Sequence, residues 1–207
     1  MGASTLNKLD RPHAATAVSN ADQSFLDDYF GRLLRHVGPN AELFELIAQT
    51  RDLLLSVREK GGKAVIVGNG GSSGIASHLA IDLAKNGKVP AICFGDAAQI
   101  TCLANDYGFE NWLAAAIRMN AKPGDALVAI SSSGKSKNIL NGVAAAREVG
   151  MSVVTLSGFG ADNPLRQLGD INFWIDSKAY NIVETAHQFW MMSVIDLIIG
   201  RAEYSSN

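Results

Sequence analysis

Two short segments of the chain combine glycines with small hydroxyl residues directly after an apolar run. Residues 63–74 read KAVIVGNGGSSG, and residues 126–136 read ALVAISSSGKS. Each pattern predicts a buried strand, a tight turn and the start of a helix. Glycines let the backbone approach a ligand closely, and free amides at a helix start favour an anion. Two such turns in one chain indicate a single phosphorylated ligand that is held from two sides.

The second turn carries four hydroxyl groups within six residues, from Ser131, Ser132, Ser133 and Ser136. Hydroxyls and backbone amides can surround a phosphate without much net charge. Capping of the following helix by one serine would account for only one of the four hydroxyls. Phosphate binding is therefore the preferred interpretation of this turn.

Neither turn matches a nucleotide-binding motif. Ser73 stands where the dinucleotide fingerprint needs its third glycine, and no acidic residue closes a clear second strand. Ala129 stands where a Walker A loop needs its first glycine. We therefore expect no nucleotide cofactor, no hydride transfer and no hydrolysis of ATP or GTP.

Two predicted helices carry titratable residues that share one face. His78 and Asp82 are four residues apart after the first turn, and Glu184 and His187 are three apart near the start of the last helix. From spacing alone, His78 and Asp82 suit a surface pair, a metal site or an acid–base couple. Glu184 and His187 suit proton transfer, or else a glutamate favoured by the helix dipole beside an interface histidine.

A scaffold of alternating strands and helices must position these residues. From residue 63 onward, candidate strands are 64–67, 91–94, 126–131, 153–157 and 171–175, and helical segments lie near 72–86, 97–105, 110–119, 137–149 and 163–168. Short apolar strands joined by crossover helices imply an α/β fold with a doubly wound parallel sheet. Ligands of such sheets bind at the carboxyl ends of the strands, where both turns are predicted.

The chain divides into three predicted regions. Residues 1–22 are polar and are expected to form a flexible tail. Residues 23–62 carry two helical stripes, expected to pack on the core or on a neighbouring subunit, and residues 63–202 form the α/β domain. The last helix is predicted over 181–201 and is apolar nearly all round from Phe189 to Ile199, which is typical of a helix buried in a domain or a subunit interface.

Composition narrows the possible classes of protein. The 207 residues are 47% apolar and 18% charged, which predicts one folded domain, and the net charge of −2 gives no general attraction to nucleic acid or anionic membranes. The N-terminus lacks the apolar segment of a signal peptide, and no uninterrupted apolar run reaches transmembrane length. Cys93 and Cys102 lack metal-ligand spacing and are interpreted as buried free thiols. We expect a cytoplasmic protein without nucleic-acid or membrane partners.

Three motifs in this order resemble the SIS (sugar isomerase) domain family: GNGGS at residues 68–72, ANDYGF at 104–109 and ISSSGKS at 130–136. More closely, they resemble its sedoheptulose 7-phosphate isomerase (phosphoheptose isomerase) branch, and the similarity runs from about residue 40 to 200. The resemblance implies a five-stranded parallel sheet of flavodoxin-like type. It also implies a homotetramer with active sites at subunit interfaces.

The resemblance assigns a substrate site to both turns and to the middle motif. It implies that the phosphate is held by Ser72, Ser131, Ser133 and Ser136, with Ser132 between them. It implies that the rest of the substrate is lined by Asn69, Gly70, Gly71, Asn105 and Asp106.

The resemblance also implies a zinc site, which this sequence alters. A family histidine and a family glutamate that bind zinc fall on His78 and Asp82, and the glutamate also serves in catalysis. A family glutamine falls on Glu184, and a catalytic, zinc-binding histidine falls on Met192, which cannot transfer a proton. His78, Asp82 and Glu184 still make a chemically sensible zinc set with an open position. His187 is the candidate for the missing acid.

Two functional hypotheses remain. The preferred one is an aldose–ketose isomerase for sedoheptulose 7-phosphate or a related sugar phosphate, with Glu184 or Asp82 as base, His187 as acid and a cis-enediol intermediate. The alternative is a catalytically silent SIS protein, a sugar-phosphate-binding regulator or adaptor similar to the replication-initiator-associating proteins of this fold. Met192 favours the alternative, whereas the carboxylates of Asp82 and Glu184 favour the enzyme.

Overall fold

The computed structural model describes residues 17–204. Within this range the helices are α1 (Asn20–Val37), α2 (Ala41–Glu59), α3 (Gly71–Lys85), α4 (Ala97–Tyr107), α5 (Trp112–Asn120), α6 (Lys137–Val149), a 3-10 helix (Pro164–Gln167) and α7 (Tyr180–Ile199). The strands are β1 (Ala64–Val67), β2 (Ala91–Cys93), β3 (Ala126–Ser131), β4 (Ser152–Ser157) and β5 (Ile171–Trp174). All five predicted strands are present, with ends that agree within one residue.

The strands form one parallel sheet in the order β2-β1-β3-β4-β5. This order confirms the predicted α/β class with a doubly wound, five-stranded sheet of flavodoxin-like type. The strand order reverses between β1 and β3, and ligands of such sheets bind in the crevice at this switch point. The two glycine- and serine-rich turns follow these two strands.

The central strands are short apolar runs because helices cover both of their faces. One side of the sheet packs against α2, α3 and α7, where Ile66, Leu79 and Phe173 are buried. The other side packs against α4, α5 and α6, where Leu113 and Leu127 are buried. The crevice at the switch point therefore lies at the carboxyl edge of a sheet whose two faces are covered by helices.

The N-terminal helices differ in their packing. α2 places Leu43, Ile47 and Leu54 in the core, whereas α1 has no buried side chain. α1 begins at Asn20, so residues 20–22, which were assigned to the tail, start a helix. The rest of the predicted tail, residues 1–16, lies outside the described residues.

One further expectation needs correction, and one is qualified. α7 is long and apolar enough to span a membrane by length and composition, although Glu184, His187 and Asp196 interrupt its apolar residues, so it is not the uninterrupted run that was excluded. Its residues Ile182, Val194 and Ile195 are buried in the domain core, which is the position of a core helix. The thiols are also less buried than predicted, because Cys102 is exposed on α4 and Cys93 is half-buried in the edge strand β2.

Candidate functional site

The two turns meet at the carboxyl edge of β1 and β3. Gly70 comes directly before α3 and has a φ of 53°, a left-handed conformation that glycine adopts without strain. Gly134, in the serine turn, has a φ of 62°, and the side chain of Asn163 fills the space that a Cβ at this position would need. Both turns therefore depend on glycine for their shape.

A small cavity of about 140 Å³ lies between the turns, and we call it the serine cavity. It is lined by Asn69, Ser72, Ile130, Ser131, Ser132, Ser133, Ser136, Tyr180 and Glu184. The structure thus brings Asn69 and all five predicted serines together around one space, although they come from two turns about 60 residues apart in the sequence.

The serines line this cavity without capping the helix that follows them. Ser136 precedes α6, but its side chain makes no capping hydrogen bond. Ser131 Oγ donates to Ser136 Oγ at 3.3 Å, and the buried Ser132 Oγ has no hydrogen-bond partner among residues 17–204. Hydroxyl groups at a helix start can bind an anion without a positively charged side chain beside it. Capping does not explain this turn.

Glu184 separates the serine cavity from a second one. It projects from α7 and also lines a neighbouring cavity of about 380 Å³, which we call the glycine cavity, together with Gly71, Gly74, Ile75, Asn181, Thr185 and Gln188. The carboxylate of Glu184 occupies the space that a side chain at Gly71 would fill. Gly71 begins α3, whose free amides favour a negative charge at this point. A carboxylate is therefore held at the border of the serine cavity.

Tyr180 is a lining residue that the sequence analysis missed. It is the first residue of α7, one helical turn before Glu184, and the two share a face. Its ring packs edge to face on Phe159, with the centroids 4.8 Å apart, and Phe159 has a φ of 58°. The four-residue spacing from Glu184 is the signal that could have found it.

His187 does not reach either cavity, which corrects its assignment as the acid. The residue is fully buried, and its Nε2 lies 3.1 Å from the backbone oxygen of Ser157. Burial lowers the pKa of His187 to about 4, only partly opposed by the hydrogen bond to Ser157. On α7 it belongs to the stripe that faces the sheet, with Val183, Ala186 and Trp190. A neutral ring inside the core cannot donate a proton to a ligand.

His78 and Asp82 form a pair outside the serine cavity. His78 Nε2 lies 3.3 Å from Asp82 Oδ2, and His78 Nδ1 lies 3.1 Å from Gln188 Nε2. Gln188 is one turn after Glu184 on α7 and lines the glycine cavity. The pair is thus close to the second cavity, but it does not line the first.

The predicted zinc ligands were tested for fit within one chain. Among residues 17–204, no three His, Cys, Asp or Glu side chains are grouped closely enough to hold a metal ion. Both ring nitrogens of His78 already face Asp82 and Gln188. The set of His78, Asp82 and Glu184 therefore does not fit zinc in this arrangement.

The remaining predicted residues lie in different places. Asn105 and Asp106 are exposed on the last turn of α4, where Asn105 Nδ2 donates to Asp106 Oδ1 at 2.9 Å, and neither lines the serine cavity. Because neither residue lines the serine cavity or the glycine cavity within one chain, their assignment to the substrate site stays a prediction. Met192 packs against the core from α7.

Comparisons with known proteins agree with this architecture. Residues 28–158 match the family model of the SIS domain. The phosphoheptose isomerase of Cytophaga hutchinsonii is 41% identical over 117 residues, which cover 54% of this chain and 61% of that protein. That of Campylobacter concisus is 34% identical over 146 residues, 68% of this chain and 77% of that protein.

A solved structure is similar over most of the chain. The phosphoheptose isomerase of Neisseria gonorrhoeae has a TM-score of 0.76 and 28% identity, and the match covers 85% of this chain and 98% of that one. In sequence, by contrast, the chain spans only about three fifths of the length of the Cytophaga relative.

Proposed function

Because this chain belongs to the SIS domain family, as its motifs predicted, we propose that it is an aldose–ketose isomerase of sugar phosphates. Sedoheptulose 7-phosphate, converted to a heptose 7-phosphate, is the proposed substrate, since the similar proteins are named phosphoheptose isomerases. The observation that carries the proposal is a carboxylate, Glu184, on the wall of the same small cavity as five serine hydroxyls.

The serine cavity is the proposed phosphate site. Ser72, Ser131 and Ser132 are buried around it, and their hydroxyls can donate to phosphate oxygens. Among residues 17–204, no lysine or arginine lines this cavity, so the proposed binding relies on hydroxyls and helix-start amides. A phosphate anchored here would bring the rest of the sugar past Glu184.

Glu184 is the proposed base. From the open-chain ketose, its carboxylate takes the proton of C1, the C–H electron pair becomes the C1=C2 bond, and the carbonyl oxygen on C2 takes a proton from an acid. The resulting cis-enediol then gives the O1 proton back to that acid and receives the carbon proton from Glu184 at C2, so that the aldose forms without net gain or loss of protons.

Tyr180 is the proposed acid. Tyr180 lines the serine cavity together with Glu184, whereas no histidine among residues 17–204 lines either cavity. Tyrosine can exchange protons with a neighbouring sugar oxygen when it lies within hydrogen-bond reach. This role replaces the one that His187 was expected to take.

Self-association is also proposed, as a homotetramer. On α1, Tyr29, Leu33 and Val37 pack on the core, but the adjacent stripe of Leu26, Phe30 and Leu34 is exposed. An apolar groove of about 490 Å³ continues this surface between α2 and α7, lined by Val37, Pro39, Leu43, Phe44, Ile47, Phe189, Trp190, Ser193 and Leu197. Contiguous exposed apolar surface of this kind marks protein interfaces.

A neighbouring subunit could also supply the groups that Asn105 and Asp106 were expected to provide. A cytoplasmic location remains a prediction. A zinc requirement also remains one, although His78, Asp82 and Glu184 of a single chain do not fit the metal.

The test is turnover by the purified chain. The protein is incubated with sedoheptulose 7-phosphate, and the aldose product is followed by NMR, with and without added zinc. Glu184→Gln should abolish conversion and retain ligand binding, whereas Glu45→Gln, the same change on the exposed face of α2, should convert at the wild-type rate. Binding without conversion by the wild type would reject the enzyme and favour the regulator or adaptor.

A further inference from the structure

A reciprocal pair of side-chain amides joins the two turns beside the serine cavity. Asn69 Nδ2 donates to Asn138 Oδ1 at 2.9 Å, and Asn138 Nδ2 donates to Asn69 Oδ1 at 2.8 Å. Asn69 lies in the turn after β1, and Asn138 is the second residue of α6. We infer that Asn138 is a positioning residue, which holds Asn69 and thereby sets the separation of the two turns for phosphate binding.

The pair lies where the sheet no longer connects the two turns. The backbone pairing of β1 with β3 ends at Val67 and Ala129, before either turn begins. Among the hydrogen bonds of residues 17–204, the two bonds of this pair are those that link residues 68–74 with residues 130–138. Ser72 stands on one side of this link, and the other four serines stand on the other.

The hydrogen bonds between Asn69 and Asn138 are costly to break because they are shielded from water. Asn138 is 2% exposed, and Asn69 is half-buried and lines the cavity. An amide side chain has two N–H donors and an oxygen with two lone pairs. The pair uses one donor and one lone pair of each residue, so Asn69 keeps one of each for a ligand. Removal of Asn138 would leave the buried side of the Asn69 amide unsatisfied.

The chain offers a matched control on the same helix. Asn141 lies one turn further along α6, and its Nδ2 donates to the backbone oxygen of Glu110 at 2.9 Å and to Asn111 Oδ1 at 3.0 Å. These bonds also tie α6 to a distant segment, but they lie outside both cavities. Asn141→Ala therefore removes hydrogen bonds from α6 without touching the proposed phosphate site.

The experiment measures the affinity for inorganic phosphate by calorimetry, with thermal unfolding as a check of folding. Asn138→Ala should weaken phosphate binding about ten-fold, the equivalent of one net hydrogen bond. Asn141→Ala should bind like the wild type. In the Asn69→Ala background, Asn138→Ala should cause no further loss, since it acts through Asn69. With sedoheptulose 7-phosphate as substrate, the single change Asn138→Ala should raise KM more than it lowers kcat.

Wild-type affinity in Asn138→Ala, or a loss that adds in full to that of Asn69→Ala, would overturn the inference. If Asn138→Ala does not fold, Asn138→Ser, which is too short to keep the pair, is judged by the same criteria. The inference rests on the proposed function only in taking phosphate as the ligand. A wild-type protein that binds phosphate but leaves sedoheptulose 7-phosphate unchanged would reject the isomerase alone. A wild type that does not bind phosphate would reject the inference as well.

Discussion

The carboxylate of Glu184 lies against Gly71, in the space that any side chain at that position would need. This contact joins the start of α3 to α7, two elements more than a hundred residues apart in the sequence. The contact gives a reason for glycine at residue 71 besides the geometry of the turn, because the missing side chain leaves room for a charged group at the border of the serine cavity.

Gly71→Ala should displace Glu184 and lower kcat about 100-fold, because a shift of about 1 Å in a reacting group has an effect of that size. The rate of sedoheptulose 7-phosphate conversion measures it. Gly95→Ala is the control, since a Cβ at Gly95 meets no atom within 4 Å. Equal rates for Gly71→Ala and the wild type would remove Glu184 from the proposed role.

Tyr180→Phe should lower kcat about 100-fold and leave phosphate affinity unchanged, because it removes only the proton that the phenol would exchange. Steady-state kinetics and phosphate titration separate the two quantities. Tyr107→Phe, at an exposed position on α4, provides the control. A variant with full activity would show that another group moves the oxygen proton.

His187 should make the protein less stable in mild acid. Burial lowers the pKa of its ring to about 4 from an ordinary value of 6.5, so the unfolded chain binds the proton more readily between these values. The stabilisation is therefore complete above pH 6.5 and is lost as the pH falls towards 4, by on the order of 3 kcal/mol in total. Urea unfolding as a function of pH measures this loss. In His187→Gln the dependence over that window should flatten, and an unchanged slope would contradict the assignment.

Asp125 should stabilise the opposite end of the sheet. Its buried carboxylate accepts from Lys63 Nζ at 2.6 Å, from the Lys63 amide at 2.9 Å and from the Lys122 amide at 3.0 Å. Burial alone would raise the pKa of Asp125, but the hydrogen bond from the Lys63 side chain and those from the two amides outweigh it and hold the pKa below its usual value. This stabilisation is present above the unfolded pKa and is lost as the pH falls through the lower, folded one.

Asp125→Asn should lower the free energy of unfolding by about 2 kcal/mol at neutral pH, because hydrogen bonds to a charged group are lost. Denaturant titration measures the change. Asp52→Asn, in an exposed pair with Arg51, should leave stability nearly unchanged. If the two variants were equally stable, the buried pair would have no net effect.

Phe30→Glu should reduce the molecular mass in solution if the exposed stripe of α1 is a subunit interface, because a buried unpaired charge is strongly unfavourable. Light scattering coupled to size exclusion measures the mass. Met119→Glu changes an equally exposed apolar residue on α5 and should leave the mass unchanged. A monomeric wild type would reject the proposed tetramer directly.

Local pattern was sufficient to predict the elements and the class of fold. Two apolar runs, AVIV before GNGG and ALVAIS before the serine turn, each predict a buried strand that is followed by a turn and the start of a helix. Parallel order follows from the crossover helices, and the carboxyl ends of neighbouring strands then bring both turns together. For this reason the four serines of the second turn could be predicted at a ligand site, whereas the resemblance to the SIS family was needed to assign Ser72, and Tyr180 was missed.

The catalytic groups were not predictable in the same way. Glu184 and His187 are three residues apart on α7, and the sequence permits both on one face. In the fold the two side chains have different surroundings. Because of the way α7 packs, Glu184 contacts Gly71 at the cavity, whereas His187 contacts the backbone of Ser157 inside the core. Helical spacing defines the angle between two side chains around the helix axis. Which of the two faces water, a ligand or a strand depends on the elements that pack against the helix. For the same reason the pair of Asn69 and Asn138, which are 69 residues apart in the sequence, could be recognised only in the structure, where the sheet brings the two turns side by side.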